Sequence, residues 1–433
     1  MGADEPIVTS MASVEPMIAR GRISLMFRSL RTRDFALFWT GNFLSNIGTW
    51  MQTIALGWVI LVKTNSPFLL GLNGFLGQIP SLLLALPGGA VADRLSRRKL
   101  MLWTQTAMML LALILAVMTS LRQINLAEIL LISLLTGAAN ALNYPAYQSL
   151  YPDLVKRGDL ANAVALNSAQ FNMSRAIGPT LAGLALGTLG AAACFYLNSI
   201  SFLALIIALL VIVIPPRKIH RGPSFWESVK DGFRYFHQNQ ILIILLTVPA
   251  FLSLLGLPFI VLMPVYARDL IKVGASGLGY LMAGAGLGAV ISALALAARS
   301  SAEKRREEFI LSSASLFSLA LIFLARAHNF WWAFFLLVVL GATMVGSLTL
   351  TNMTFQMTSP PALRGRVMSV FLMSMSGLLP FGSLQAGVVA QSLGTRFALT
   401  LAGTICLIYF LTLLIFLPRL RRVAKLPHPA GQD

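Results

Sequence analysis

Arg175 is the residue best suited to bind a charged ligand, because it is the one base deep inside an apolar run of this chain. At 1.5 Å per helical residue it would lie about 15–20 Å from the start of its helix. An ionisable side chain inside a membrane-crossing segment is a candidate functional group, since burying its charge there is costly. Arg175 could hold an anionic ligand or pair with backbone carbonyls to stabilise the helices, and the sequence favours neither role.

Amide and hydroxyl side chains recur along three apolar runs at helical spacing. Steps of three and four residues place them on one face of a helix, and such a face would be costly against lipid. They therefore predict a wet cavity, with interhelical hydrogen bonding as the alternative for any single residue. The candidate cavity residues are Asn42, Asn46, Thr49, Gln52, Asn140, Asn143, Tyr144, Tyr147, Arg175 and Asn352.

Carboxylates are scarce within the apolar runs. Of the 15 Asp and Glu residues, only Glu128 lies inside an apolar run and away from the run's predicted cytosolic end. With so few acids to bind a cation, the chain suits neutral or anionic amphiphiles better than organic cations. Proton coupling usually needs a titratable group on the pathway, and Glu128, Asp34 and Asp93 are the candidates. We recognise no nucleophile–base pair, metal-ligand cluster or phosphate-binding loop, and we therefore expect no catalytic residue, no metal, no cofactor and no use of ATP.

The composition indicates a membrane protein. Of 433 residues, 57% are hydrophobic and 11% are charged, whereas soluble proteins have about 25% charged residues. The net charge of +18 does not indicate nucleic-acid binding, because the bases lie in short gaps between apolar runs. Cys194 and Cys406 lie inside such runs and predict no disulfide framework.

Twelve apolar runs approach the ~20 residues that a membrane-crossing helix needs. They predict an all-α membrane protein with twelve transmembrane helices in two six-helix bundles. Lys and Arg concentrate in both terminal segments and in every second gap, which predicts cytosolic termini. The predicted spans are 35–62, 67–92, 99–121, 126–151, 162–189, 191–214, 240–267, 275–298, 309–326, 330–357, 366–391 and 395–417.

A basic, aromatic segment between the sixth and seventh runs divides the chain into two halves. We interpret it as an amphipathic helix on the inner leaflet, with a solvated linker as the alternative. The halves share residues at a constant offset, as in transporters built from repeats: Ser66, Gly74, Asp93 and Arg94 correspond to Ser276, Gly284, Glu303 and Lys304. The predicted organisation is a cytosolic arm (1–34), a first bundle (35–214), the linker (215–239), a second bundle (240–417) and a basic cytosolic tail (418–433).

The most specific motif is the turn Gly89-Ala-Val-Ala-Asp93-Arg94-Leu-Ser96-Arg97-Arg98-Lys99. It resembles the signature loop of the major facilitator superfamily at Gly89, Asp93, Arg94, Arg98 and Lys99, although Ser96 stands where a second glycine is usual. Four further segments resemble the drug- and siderophore-exporter branch, which includes enterobactin exporters and macrolide efflux pumps: Leu30–Phe35, Gly48–Gln52, Pro152–Ala163 and Leu363–Met368.

The resemblance implies a gate on the cytosolic side. Asp93 would lie near the start of the eleventh helix, where a helix dipole favours an anion, and Arg94 and Arg98 would bridge neighbouring helix ends. These contacts would hold the halves together when the cavity faces outward; the alternative is that the bases merely mark the cytosolic side. The candidate gate residues are Gly89, Asp93, Arg94, Arg98, Lys99, Glu303, Lys304, Arg364 and Arg366.

A second motif, Gly178-Pro179 with Gly183, resembles a Gly-Pro motif common in exporters of this superfamily. Proline in a membrane helix frees a carbonyl and permits a bend, while glycines permit close helix packing. The motif could set the direction of transport or serve packing alone.

By resemblance, this chain is expected to be a monomeric secondary transporter in the plasma membrane, with the lipid bilayer and a small-molecule substrate as its partners. It would export siderophore- or antibiotic-like amphiphiles by alternating access. A nutrient importer or lipid flippase of the same fold is the first alternative. A non-transporting sensor or secretion accessory protein is the alternative of another class.

Overall fold

The computed structural model describes residues 27–84, 96–213, 230, 233–237, 239–298, 305–360 and 363–423, and in these ranges every regular element is a helix. We number the principal helices along the chain, with α1–α6 as the N-terminal half and α7–α12 as the C-terminal half. They are α1 (Arg33–Thr64), α2 (Pro67–Leu83), α3 (Arg97–Ser120), α4 (Leu126–Leu150), α5 (Leu160–Thr188), α6 (Ala191–Val211), α7 (Gln240–Phe251 and Phe259–Val265), α8 (Ala275–Ala298), α9 (Arg306–Arg326), α10 (Phe330–Thr358), α11 (Arg364–Ser376 and Leu379–Leu393) and α12 (Thr395–Val423).

Within the described ranges, nine helical spans are long and apolar enough to cross a membrane by length and composition. The other three principal helices are α1, α2 and α5. Polar side chains recur along α1 and α5 and lower their mean hydropathy, and α2 has 17 described residues ending at Leu83. The all-helical, multi-span architecture is confirmed, whereas twelve crossings remain a prediction.

Helix packing joins the two halves along two seams. Within the N-terminal half, α1 packs against α5 and α6, α3 against α4 and α6, and α2 against α4. Within the C-terminal half, α9 packs against α10 and α12, and α8 against α10. The halves meet where α2 packs on α11 and where α5 packs on α8.

Glycines let the backbones touch along both seams. A methyl group added to Gly71 of α2 would lie 2.8 Å from the Cα of Gly387 in α11. One added to Gly183 of α5 would lie 2.6 Å from the Cα of Gly279 in α8. Real side chains do not approach backbone so closely, and small residues are what allow membrane helices to pack at this distance.

Two helices of the C-terminal half are interrupted where they meet. A π-helical turn at Leu252–Gly256 interrupts α7, a second one at Tyr266–Leu270 follows its last segment, and α11 is broken between Ser376 and Leu379. A methyl group added to Gly382 of α11 would lie 2.5 Å from the carbonyl oxygen of Leu254. The corresponding helix of the N-terminal half, α1, is continuous over 32 residues, so the two halves differ at this point.

The end of the predicted linker packs on protein. Residues 233–237 are helical, and Phe236 is fully buried with its ring 5.1 Å from that of Phe355 in α10. The Tyr235 hydroxyl donates to the carbonyl of Thr358 at 2.9 Å. These two aromatic residues therefore dock on α10 and not on the inner leaflet; most of 215–239 lies outside the described residues.

Candidate functional site

The signature turn is only partly within the described residues. Gly89, Asp93, Arg94, Glu303 and Lys304 lie outside them. At the start of α3, the Arg98 guanidinium donates to the carbonyl of Leu210 at the end of α6. That bond joins Arg98 to a neighbouring helix end within the N-terminal half, and a role of Arg98 in holding the two halves together stays a prediction.

The remaining gate candidates lie at helix starts. Lys99, in the first turn of α3, is exposed, and so is Arg364 at the start of α11. Arg366 lies half-buried in the first turn of α11. The helix that carries Arg364 and Arg366, α11, packs on α2 of the other half, which suits a gate, whereas α3 with Lys99 packs within its own half. The gate role of all three residues stays a prediction.

Sequence reasoning missed Arg97 as a bracing residue. Its Nη1 lies 2.6 Å from Asp153 Oδ2 and donates to the carbonyl of Ser149 at 2.9 Å. In parallel, Arg28 Nε lies 2.8 Å from Asp159 Oδ1. Both ion pairs attach neighbouring segments to the α4–α5 connection. The sequence did carry a sign of this contact, since Asp153 belongs to the segment Pro152–Ala163, which resembles the exporter branch.

A network of polar side chains joins α1, α4 and α5. Asn42 donates to the Tyr147 hydroxyl at 3.1 Å, and that hydroxyl donates in turn to Asn167. Asn46 donates to Gln170 Oε1 at 3.3 Å. Asn167 and Gln170 were not predicted, although together with Ser174 they follow the same three- and four-residue spacing as the polar residues of α1 and α4.

Three of the predicted cavity residues are buried packing groups in this conformation. Asn42, Gln52 and Asn143 are at most 9% exposed. Gln52 accepts from Asn198 of α6 at 2.8 Å, and Asn143 accepts from Thr104 of α3 at 3.0 Å. In this conformation the three amides follow the alternative of hydrogen bonding between helices, and a place in the substrate cavity stays a prediction.

Other predicted cavity residues, on α4 and α1, remain accessible. They lie on the side of the helix opposite its exposed apolar residues. On α4, Asn140 and Tyr144 are exposed, while Leu131 and Leu135 are exposed on the opposite side of the helix. On α1, the exposed Thr49 shares its face with Asn46. One side of each helix therefore suits lipid and the other suits water or a polar ligand.

Arg175 lies on the corresponding polar face of α5. Through its other faces, α5 contacts α1 at Gly178 and α8 at Gly183. Arg175 and Asn172 lie between these two contact faces and are half-buried, with Arg175 Nη2 donating to Asn172 Oδ1 at 3.3 Å. Through the middle of α5, the opposite side exposes four large apolar residues, namely Met173, Ile177, Leu181 and Leu184. The guanidinium thus points away from the lipid-like side, beside the seam between the halves.

The comparisons with known proteins agree with this architecture. Residues 24–429 match the model of the transmembrane secretion effector family, a family of the major facilitator superfamily. The chain belongs to this family. It is therefore a multi-pass membrane transporter that exports small molecules, and not an enzyme.

Individual relatives cover almost the whole transporter. The staphyloferrin A transporter of Staphylococcus aureus is 28% identical over 86% of this chain and 93% of its own. The multidrug efflux pump Tap of Mycolicibacterium fortuitum is 24% identical over 87% of this chain and 93% of its own. Among solved structures, the nucleoside transporter NupG is 13% identical, with a TM-score of 0.70 over 89% of this chain and 99% of that one. The NupG likeness shows the fold alone.

In the C-terminal half of the transporter, most of the polar residues that recur along α10 are buried and do not reach an accessible face. Thr343, Ser347 and Thr351 of α10 are buried, and their hydroxyls donate to carbonyls of their own helix. Asn352 is half-buried and accepts from the exposed Gln356 at 2.5 Å. Asn352 and Gln356 are therefore the accessible polar pair of α10.

The glycines of the transporter's Gly-Pro motif pack on two different helices. A methyl group on Gly178 would lie 2.5 Å from Trp50 Cβ in α1, whereas Gly183 contacts α8. Pro179 lies within α5, which continues through it to Thr188. The contacts give both glycines a packing role, and an effect on transport direction stays a prediction.

Glu128 has a structural partner in the transporter. Its Oε2 accepts from the backbone N–H of Asn125 at 2.9 Å, and Asn125 Oδ1 accepts from the Glu128 N–H at 3.0 Å. This reciprocal pair satisfies two free donors at the start of α4. A capping role explains this carboxylate without proton coupling.

Proposed function

We propose that this transporter spans the membrane twelve times with both termini in the cytosol, and that it exports an anionic, amphipathic small molecule of siderophore type. The observation that carries the proposal is the position of Arg175. Its guanidinium lies on the polar face of α5, beside the seam with α8, in a helix whose opposite side is apolar. Transporters with repeated halves bind substrate at the interface between the halves.

A cation at this place favours a ligand with a carboxylate or similar anion. The guanidinium carries five donors in a planar fork that matches a carboxylate, and Asn172 occupies only part of that capacity. Asn140 and Tyr144 of α4 and Asn352 of α10 supply neutral hydrogen-bonding groups for the rest of the substrate. A relative that transports staphyloferrin A supports a siderophore.

A second candidate substrate class is a neutral, drug-like amphiphile. The similarity to a multidrug efflux pump favours it, as do the aromatic rings near the polar faces. The exposed ring of Phe171 lies edge to face with that of Trp50 at 6.3 Å. Apolar rings of this kind suit a ligand without charge.

For the gate, we propose that Asp93 and Arg94 act at the cytosolic end of the seam between α2 and α11. The described neighbours support this, because Arg97 and Arg98 fasten the start of α3 to the α4–α5 connection and to α6. A turn fixed at that end can transmit a change at the seam to the whole N-terminal half.

Two transport measurements test the function. Cells with and without the protein are compared for accumulation of siderophores, macrolides and lysolipids, and the substrate that responds is then followed in vesicles. We expect energised uptake into everted vesicles and not into right-side-out vesicles. Uptake confined to right-side-out vesicles would identify an importer, and absence of flux in proteoliposomes for every compound would identify a non-transporting protein.

A further inference from the structure

A cavity of about 430 Å³ lies in the C-terminal half, at the end of the molecule away from the chain termini. It opens between the end of α9 and the start of α12. Two arginines and a histidine line it, together with one alanine, one phenylalanine and one threonine: Arg326, Arg396, His328, Ala325, Phe397 and Thr400. The cavity is wide open to its surroundings, so a ligand bound there would stay partly exposed.

The cavity has an unbalanced positive charge. At this end of the molecule the sequence places two carboxylates, Glu128 and Asp269. Glu128 caps α4, and Asp269 is 2.6 Å from its neighbour Arg268. Neither acid is therefore free to neutralise the cavity.

The bases at this end differ in what they bind. Lys63 donates to the carbonyl of Ile124 at 2.9 Å, and Arg268 binds Asp269. Arg326 and Arg396, in contrast, form no ion pair and donate no hydrogen bond to any described residue. Basic residues are depleted on the side away from the cytosol, so two exposed arginines beside one cavity there, both without an ion pair in the described part of the chain, favour an anionic ligand.

The surroundings place the cavity at the depth of lipid headgroups. Next to His328, the first turn of α10 carries Trp331 and Trp332, which are 76% and 46% exposed. Exposed tryptophans at a helix end are typical of the membrane–water interface. The ring of Phe397, also exposed, gives the cavity an apolar wall on the side of α12.

We propose that this cavity binds the phosphate-bearing headgroup of an anionic phospholipid from the leaflet at this end. The guanidinium groups of Arg326 and Arg396 bind phosphate oxygens through paired N–H donors. His328 and Thr400 contact the polar part of the headgroup, and Phe397 contacts the start of an acyl chain. The proposal rests on the proposed orientation with cytosolic termini, and it is independent of the exported substrate and of the transport direction.

Native mass spectrometry of the full-length, detergent-solubilised protein tests the proposal. Wild-type protein is titrated with phosphatidylglycerol, with phosphatidylcholine, and with soluble glycerol phosphate. We expect tight retention of one phosphatidylglycerol, weaker retention of phosphatidylcholine, and no displacement by glycerol phosphate. Displacement at comparable concentration would show a site for soluble anions and overturn the lipid assignment.

Variants locate the site. Arg326→Gln and Arg396→Gln are each expected to weaken phosphatidylglycerol binding about fivefold, since one base near a membrane surface contributes roughly that factor. Arg326→Lys should retain most of the binding. The matched control is Arg122→Asn at the same end, where asparagine tolerates the positive φ of 56°. Unchanged binding in both Gln variants, or an equal loss in the control, would contradict the proposal.

Discussion

At the scale of residues, neighbouring bases of the signature turn have separate partners. Arg97 reaches the α4–α5 connection through Asp153, and Arg98 reaches the end of α6. Lys99 is exposed. Three consecutive cations therefore differ in role, although the sequence alone presents them as one basic run.

We predict that Arg97→Gln lowers both stability and transport. The Arg97 and Asp153 side chains are 26% and 22% exposed, so solvent screening limits the loss to about 0.5–1 kcal/mol. A double-mutant cycle with Asp153→Asn, followed by thermal unfolding in detergent, measures the coupling. Lys99→Gln is the matched control for stability alone, because Lys99 is itself a gate candidate. Additive effects of the two substitutions would show that the ion pair contributes nothing.

The polar stripes show what the sequence can predict at this scale. Helical periodicity was sufficient to put Asn42, Asn140 and Tyr144 on polar faces. It did not separate accessible residues from paired ones, because the partner that buries Asn42 is Tyr147, more than 100 positions along the chain. Whether an amide meets water or another amide depends on helix packing, which periodicity does not encode.

At the scale of elements, helix bounds followed closely from hydropathy. Asn125 and Asn329 cap α4 and α10 where the apolar runs begin. The interruptions of α7 and α11 were not predicted, because the hydropathy of an apolar run does not depend on whether its backbone is α-helical or π-helical. Pro249 and Pro264 in α7 were the available signal, since proline removes a backbone donor.

The glycine seams give a prediction about helix contacts. Gly183→Ala would place a methyl group 2.6 Å from the Cα of Gly279, forcing α5 and α8 apart at a cost of about 1–3 kcal/mol. We expect a lower melting temperature and slower transport. Gly274→Ala, which meets nothing within 4 Å, is the control. Wild-type stability and transport rate in Gly183→Ala would show that the seam tolerates separation.

At the scale of the whole molecule, two halves are joined along α2–α11 and α5–α8. Such seams allow one half to rock against the other around a site between them. The halves differ, because breaks in α7 and α11 meet in the C-terminal half while α1 is continuous. Arg175 belongs to the N-terminal half and lies beside the α5–α8 seam. An anion bound there would respond to the movement of the two halves relative to each other.

Substrate flux in Arg175 variants tests the central claim most directly. Everted vesicles carrying wild-type protein, Arg175→Lys or Arg175→Gln are compared for one anionic and one neutral substrate identified in the accumulation screen. We expect Arg175→Gln to reduce anion transport about 10- to 100-fold, the loss of one charge-assisted hydrogen bond, with neutral flux retained and Arg175→Lys intermediate. Equal loss of both fluxes in Arg175→Gln would show a structural role and contradict the proposal.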